Sequence, residues 1–395
     1  MGLECPVAFF GLTVHPTNVI TSCMLSENTL AKVNEKNGLD NQNFQDLRQS
    51  MIDGKWTNHN CESCMVQEQK GLFSDRQKWL QRAKHPMEQF KIGFELTNNP
   101  IVHLNINLNN VCNFKCRMCG PKYSNAWIPD AKYLRSKDES IVRNWQDHEA
   151  KQFVDYFKIL DMYGSRMRLQ SVWVTGGEPF IDNQIFGILG QLKSYSPAKD
   201  MKINITTNGS KINFDKIEEL YEFKEVCINV SVDATGSLFS YMRSAGVFDF
   251  DNLCENIKAL KNLKMKNLKI QVNGSHQLYN SLNLYDFYKT FTKDIPVDDI
   301  QMRTLSHPQY FSSCILPDTI KPLAIEQVDK IFADQWMNAH ARTRSDLNNI
   351  VKNIKYQNPN REMLWSRFIK FTNLLDDKRQ HFIKDEVPKL WENMQ

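Results

Sequence analysis

From residue 101 onwards, short β-rich runs alternate with helical stretches, and this alternation constrains the fold more than any other feature. The strand candidates are 101–107, 170–175 (QSVWVT), 202–207 (KINITT), 226–232 (VCINVSV), 268–273 (LKIQVN) and 298–304 (DDIQMRT). Helical stretches fall at about 147–162, 182–194, 213–222, 250–263 and 282–292. Six strands with intervening helices imply a parallel sheet built from right-handed crossovers. Sheets of this kind bind ligands at the carboxyl ends of their strands. The polar clusters fall where those ends belong: Cys112 to Cys119 after the first strand, Thr175-Gly-Gly-Glu-Pro179 after the second, Thr206-Thr-Asn-Gly209 after the third, Ser231-Val-Asp233 after the fourth and Asn273 after the fifth. The expected fold is α/β: a partial (β/α)6 TIM-like barrel over 96–310, preceded by a small cysteine-rich cluster domain (1–95) and followed by a helical extension (311–395).

Three of the ten cysteines, Cys112, Cys116 and Cys119, occupy one loop at x3 and x2 spacing. They supply three thiolates and no fourth ligand. A structural zinc site closes with four protein ligands, whereas a catalytic centre keeps a position open. Four more thiols, Cys5, Cys23, Cys61 and Cys64, lie in the N-terminal unit, the last two as C-x2-C. By residue type alone they fit structural zinc, an iron-sulfur cluster or unrelated buried thiols. In the same unit FFGLTV and VITSCM read as a hairpin turning at His15-Pro16-Thr17-Asn18. Phe44, Leu47, Met51 and Ile52 lie at helical spacing, and a second helix runs from Cys61 through Trp79. Cys227 and Cys254 read as core. Cys314, in the loop after the sixth strand, is a candidate hydrogen donor at the barrel mouth. Histidines 15, 103 and 307 lack paired ligand spacing, and Trp365, Phe368, Ile369, Phe371, Leu374 and Leu375 form an apolar helical face packing on the barrel or closing its mouth.

Charge is nearly balanced, with 49 Lys+Arg against 45 Asp+Glu. It makes no strong electrostatic case for a nucleic-acid or membrane partner and leaves nucleic acid open. No apolar run is long enough to span a bilayer, and no secretory signal pattern precedes the cysteines, so a reducing cytoplasmic setting is expected.

Cys112-x3-Cys116-x2-Cys119, followed after 56 intervening residues by Gly176-Gly-Glu-Pro179 at a strand end, resembles the radical S-adenosylmethionine (radical SAM) superfamily. The resemblance implies a 4Fe-4S cluster on Cys112, Cys116 and Cys119. SAM would chelate the free iron and be cleaved reductively to a 5'-deoxyadenosyl radical that takes hydrogen from a substrate. It further implies that Gly176, Gly177, Glu178 and Pro179 meet the methionyl amine, that Ser231 and Asp233 meet the ribose, and that Thr206 and Asn208 line the cofactor cleft. Asn273 would reach the adenosine, Arg243 the methionyl carboxylate, and Met118 would replace the aromatic residue usual before the third cysteine. HPTNVITSC, CESCMVQEQKGLFSDR, SVDATG with YMRSAG, and FIKFTNLLDDKR resemble a group with a twitch or SPASM-like auxiliary domain. For Cys5, Cys23, Cys61 and Cys64 this implies a second 4Fe-4S cluster. Expected partners are a flavodoxin or ferredoxin reductant and a peptide or protein substrate; a small molecule, nucleotide or nucleic-acid base is the alternative. The alternative of another class is a non-catalytic, zinc-stabilised binding module.

Overall fold

The computed structural model describes residues 3–26, 29–33, 35, 37–56, 61–81, 93–142, 154–181, 183–334 and 341–395. Among these residues one nine-stranded sheet runs β3-β2-β1-β4-β5-β6-β7-β8-β9. Six of its strands, β4 (Ile101–Asn107), β5 (Met167–Thr175), β6 (Lys202–Thr207), β7 (Glu225–Ser231), β8 (Leu268–His276) and β9 (Asp299–Thr304), pair in parallel in sequence order. Alternation along each strand divides the sheet into two faces. Ile203, Ile205, Val226, Ile228, Val230 and Val272 are fully buried in the aliphatic layer beneath the crossover helices. Each such side chain stabilises the fold by roughly 1.5–3 kcal/mol. The residues between them, among them Asn204, Thr206, Asn229, Ser231, Gln271 and Asn273, face the other way and make the barrel interior polar.

The N-terminal hairpin extends this sheet, so the expected boundary at 95/96 is crossed by strand pairing. β1 (Gly11–His15) pairs with β2 (Val19–Thr21) and β2 with β3 (Ala31–Lys32), both antiparallel, while β1 pairs in parallel with β4, placing Gly11 opposite His103 and Thr13 opposite Asn105. The physical reason is the edge of β4. Without β1 its backbone groups would be unpaired beside the buried Ile101, Leu104 and Ile106. Leu12 and Val14 continue the aliphatic layer across the pair. Phe9 and Phe10, expected in the first strand, lie instead in the one-turn helix α1 (Pro6–Phe10), which Pro6 opens.

Helix α2 (Gln42–Ile52) is capped by Asn41, whose side chain accepts from the Phe44 amide (3.1 Å). It buries Phe44, Leu47 and Met51, while Ile52 faces outward. Helices α3 (Glu62–Gln69) and α4 (residues 75–81) follow. The Trp79 ring of α4 lies 4.4 Å from that of His103 on β4, and Asp75 of α4 pairs with Arg303 of β9 (3.3 Å). Residues 75–81 thus touch both β4 and the far edge strand β9. Of the helix expected at 147–162, residues 147–153 lie outside the described residues, and the described part is Tyr156–Tyr163. The C-terminal extension contributes Lys321–Ala333, Ala341–Lys355 and Arg361–Arg379. The middle helix packs on β9 and is called helix C1 below; the last, helix C2, buries Leu364, Phe368, Phe371, Thr372, Leu375 and Asp376.

Candidate metal centre and cofactor site

The three-cysteine loop begins where β4 ends and is held from within by its own polar groups. The Cys119 amide donates to the Cys116 carbonyl (2.9 Å), Trp127 Nε1 donates to the same carbonyl (2.8 Å), and Ser124 Oγ donates to the Phe114 carbonyl (2.6 Å). The thiols converge: Cys116 and Cys119 are hydrogen-bonded to each other, which lowers the Cys116 thiol to about 7 and holds Cys119 well above the usual thiol range. Burial, then the neighbouring Cys116, pushes Cys112 up to about 11. Its sulfur accepts from the Phe114 amide (3.4 Å) and lies 3.8 Å from Asn208 Nδ2. Sulfur ligands need such donors when they carry charge.

The Gly176–Pro179 strand end presses on this loop. A Cβ on Gly176 (φ +94°) would stand 2.1 Å from Asn107 Oδ1, and one on Gly177 (φ +49°) 2.3 Å from the Val111 carbonyl oxygen. Both positions therefore require glycine, and the close approach they permit is to the cysteine loop itself. Glu178 is buried, and each of its oxygens is engaged: Oε1 accepts from Thr207 Oγ1 (2.7 Å) and the Phe180 amide (3.1 Å), Oε2 from the Asn208 amide (2.6 Å). Burial raises its carboxyl to about 7, against the pull of those donors. The carboxylate thus ties the end of β5 to the end of β6 through Thr207 and Asn208. Asn208 continues the bridge to Asn113 in the cysteine loop (2.9 Å).

Asp233 takes a left-handed backbone (φ +69°) just beyond β7. Its Oδ2 accepts from Arg243 Nη1 (2.5 Å) and its Oδ1 from the Ser275 amide (2.7 Å). The expected ribose ligand is thus a buried anchor joining β7, β8 and Arg243. Arg243 lies in a π-helical turn, Ser240–Ser244, and its buried Nε has no hydrogen-bond partner. An orphan guanidinium donor beside the thiols fits a carboxylate such as the methionyl group of SAM. Ser231, the last residue of β7, stands in register beside Asn273, three residues before the end of β8, and Asn273 accepts from Gln271. Met118 is half-buried against the core.

The C-terminal helix supplies contacts that sequence reasoning missed. Arg117, between the second and third cysteines, is 1% exposed. It donates to Asp376 Oδ1 of helix C2 (2.6 Å), to the Tyr241 carbonyl (3.0 Å) and to the His381 carbonyl (3.3 Å). Its guanidinium carbon sits 3.4 Å from the Tyr241 ring centroid. Arg379 pairs with Asp130 (2.9 Å), which also meets Lys115 (3.5 Å), and covers Trp127 at 4.6 Å. The polar residues of the FIKFTNLLDDKR segment therefore lock the cysteine loop from outside.

Cys5, Cys23, Cys61 and Cys64 line one small cavity of about 30 Å3 together with Trp56, Ser63 and Arg76. The sulfurs accept backbone amides: Cys5 from Val7 and Ala8, Cys23 from Leu25 (3.4 Å), Cys64 from Arg76. Burial pushes Cys5 up to about 12 and Cys64 to about 11, and Cys23 well above the usual thiol range. Loading any metal here must displace those protons. Among the described residues, no three His, Cys, Asp or Glu side chains are gathered tightly enough for a single metal ion.

A second, larger cavity of about 580 Å3 is lined by neighbours of the N-terminal thiols and by Asn107, Lys122 and Tyr123, which flank the three-cysteine loop. Asn107, Ser275 and Thr304 bring the strand ends to it. Met24 and Leu25, next to Cys23, and Glu62 and Ser63, between Cys61 and Cys64, form the opposite wall. Leu25 and Ser63 line both cavities. His15 and His307 line this space too; burial lowers His15 to about 4, so its imidazole is neutral at pH 7. Cys314 is absent from the walls. It is 1% exposed and its sulfur accepts from Asn358 (3.5 Å), because a 3-10 turn (Ser313–Ile315) folds the loop into the core beneath helix C2. The expected position at the barrel mouth is corrected accordingly. Cys227 and Cys254 are buried.

The model of the radical SAM superfamily matches residues 106–278, from β4 to just past β8. The GTP 3',8-cyclase of Pasteurella multocida is 27% identical over 216 residues, 52% of this chain and 56% of that protein. That of Staphylococcus haemolyticus is 29% identical over 135 residues, 34% of this chain and 35% of that protein. The chain thus spans about half or less of the length of these curated relatives. A Streptococcus suis protein, SuiB, solved bound to precursor peptide SuiA, is 18% identical, overlaps 66% of this chain and 52% of its own, and has a TM-score of 0.40. Among the described residues no helix is long and apolar enough to cross a membrane. The family match covers the cysteine loop and the Gly176–Pro179 strand end, and over this span the chain is similar to the radical SAM superfamily, whose members are enzymes.

Proposed function

We propose that this enzyme cleaves S-adenosylmethionine reductively and takes hydrogen from a substrate carbon held in the 580 Å3 cavity. The carrying observation is the three-thiol loop, held by buried contacts on several sides and facing the unpartnered Nε of Arg243. When bound, the cluster with SAM supplies the 5'-deoxyadenosyl radical. Cys112, Cys116 and Cys119 would hold that cluster, and Arg243 would orient the methionyl carboxylate while Asp233 fixes the guanidinium. Glu178 and Asn208 keep the ends of β5 and β6 against the loop. Ser231, Thr206 and Asn273 would line the adenosine side.

Cys5, Cys23, Cys61 and Cys64 would hold the second cluster, in a twitch-like arrangement. Four thiols lining one cavity, three of them accepting backbone amides, support this over unrelated cysteines. A complete thiol set favours electron transfer over substrate ligation. A flavodoxin or ferredoxin would supply the reducing electron. The first substrate class is a peptide or protein. A nucleotide is the second reading, favoured by the names of the curated relatives and by Lys122 in the cavity wall.

Anaerobic reconstitution tests the proposal. About eight irons per chain and 5'-deoxyadenosine on reduction with dithionite are expected, with Cys61→Ala lowering iron by about four. Stoichiometric zinc without iron, or unchanged iron in Cys61→Ala, contradicts it.

A further inference from the structure

The inner cavity does not close around a ligand. It opens into an outer cleft of about 1000 Å3, and the two spaces share Leu72, Phe73, Lys78, Asp346 and Asn349 as walls. The cleft runs between the α3–α4 segment and helix C1, which supplies Arg344, Asn348 and Lys352. The inner cavity alone is of the size that takes a compact small molecule, within the usual range of about 300–1,000 Å3. A ligand no larger than a nucleotide would leave the outer cleft empty.

Resting on the function proposed above, we infer that this cleft is a binding site for the flanking residues of a polypeptide substrate whose reacting residue lies in the inner cavity. The cations lining the cleft are already engaged. Lys78 pairs with Asp75 (3.7 Å), Lys352 donates to the Gly71 carbonyl (3.1 Å), and Arg344 lies over Phe332 (5.7 Å). Two carboxylates, Glu68 and Asp346, share the same walls. A phosphate chain needs uncommitted positive charge and is poorly served here. Gln77, Gln81, Asn348 and Asn349 carry both a donor and an acceptor, the pair that a peptide backbone offers in reverse. Leu72 and Phe73, at the junction, provide apolar surface for a side chain entering the inner cavity.

The test uses reconstituted holoenzyme with SAM and an mRNA-displayed library of random dodecapeptides as probe. Asn348→Trp and Gln81→Trp fill the outer cleft from exposed helical positions, so the fold is retained. Peptides enriched on the wild type are expected to bind each variant at least about tenfold more weakly, while substrate-free 5'-deoxyadenosine formation stays unchanged. Enriched peptides that bind both variants as well as wild type overturn the inference. So does a library yielding nothing above bare-matrix background, or GTP binding unaffected by either substitution and displacing every enriched peptide. Absence of 5'-deoxyadenosine from the wild type is a separate result, and it defeats the radical reading beneath.

Discussion

Replacing Asp376 by alanine should loosen the cysteine loop from a position 259 residues away in the chain. Asp376 is 3% exposed and accepts from Arg117 (2.6 Å), from the Tyr241 hydroxyl (3.0 Å) and, through Oδ2, from the Ile383 amide (2.7 Å). Its removal leaves the Arg117 guanidinium buried with two backbone carbonyls and an aromatic face but no counter-charge. Breaking a buried pair in this way costs about 3–5 kcal/mol. The two stranded donors belong to the same network, so their penalties do not simply add. With an unfolding entropy of about 2.1 cal/mol/K per residue over 395 residues, a loss of about 4 kcal/mol lowers Tm by about 5 °C. The assay is anaerobic thermal unfolding of reconstituted protein followed by circular dichroism, with iron counted per chain. The paired replacement Arg117→Met with Asp376→Leu removes both charges and should recover most of the Tm. It should not restore SAM cleavage, because the segment between Cys116 and Cys119 then keeps only its backbone and Trp127 bonds and loses the side-chain tie to helix C2. A Tm drop below about 1 °C in Asp376→Ala, or full SAM cleavage by the paired variant, refutes the clamp.

Gly177→Ala should abolish cluster loading at the triplet while sparing the other thiol set, since the added Cβ meets the Val111 carbonyl at 2.3 Å and the loop must move; iron falling by about four per chain checks it. His15 is held neutral by burial, which lowers its pKa to about 4 from the ordinary histidine value of about 6.5. Stability is therefore full above pH 6.5 and is lost as pH falls towards 4, by up to about 3 kcal/mol; His15→Gln should flatten that limb in urea titrations at stepped pH. Cys314→Ala should leave product formation within about twofold and cost about 1 kcal/mol of stability, read from turnover and urea midpoints; loss of turnover would return the thiol to the reaction.

The strands were legible because burial beneath the crossover helices demands Ile and Val at every second position, as in Val226, Ile228 and Val230. The cysteine spacing and the paired glycines were legible because each is a steric or ligand-count requirement within a short stretch. The pairing of β1 with β4 was not, since the two strands are separated by some ninety residues and either alternation is satisfied by other neighbours. The same holds for Arg117 with Asp376: each reads locally as a surface charge, and only the fold buries them together. Glu178 and Asp233 were recognisable as site residues, yet their partners Thr207 and Ser275 lie on neighbouring strands, so the bonds that engage their oxygens have no signature in either segment. Cys314 misled because a loop rich in Ser and Pro reads as exposed, whereas Phe311, Ile315 and Leu316 pull it into the core.

The central claim is that the triplet leaves one iron for SAM. The direct measurement is the electron paramagnetic resonance spectrum of reduced Cys61→Ala protein, in which a cluster on the triplet would stand alone, recorded with and without SAM labelled with 15N at the methionyl amine. The account predicts a changed spectrum with hyperfine coupling to the labelled nitrogen, lost in Cys116→Ala. An identical spectrum with and without SAM contradicts it.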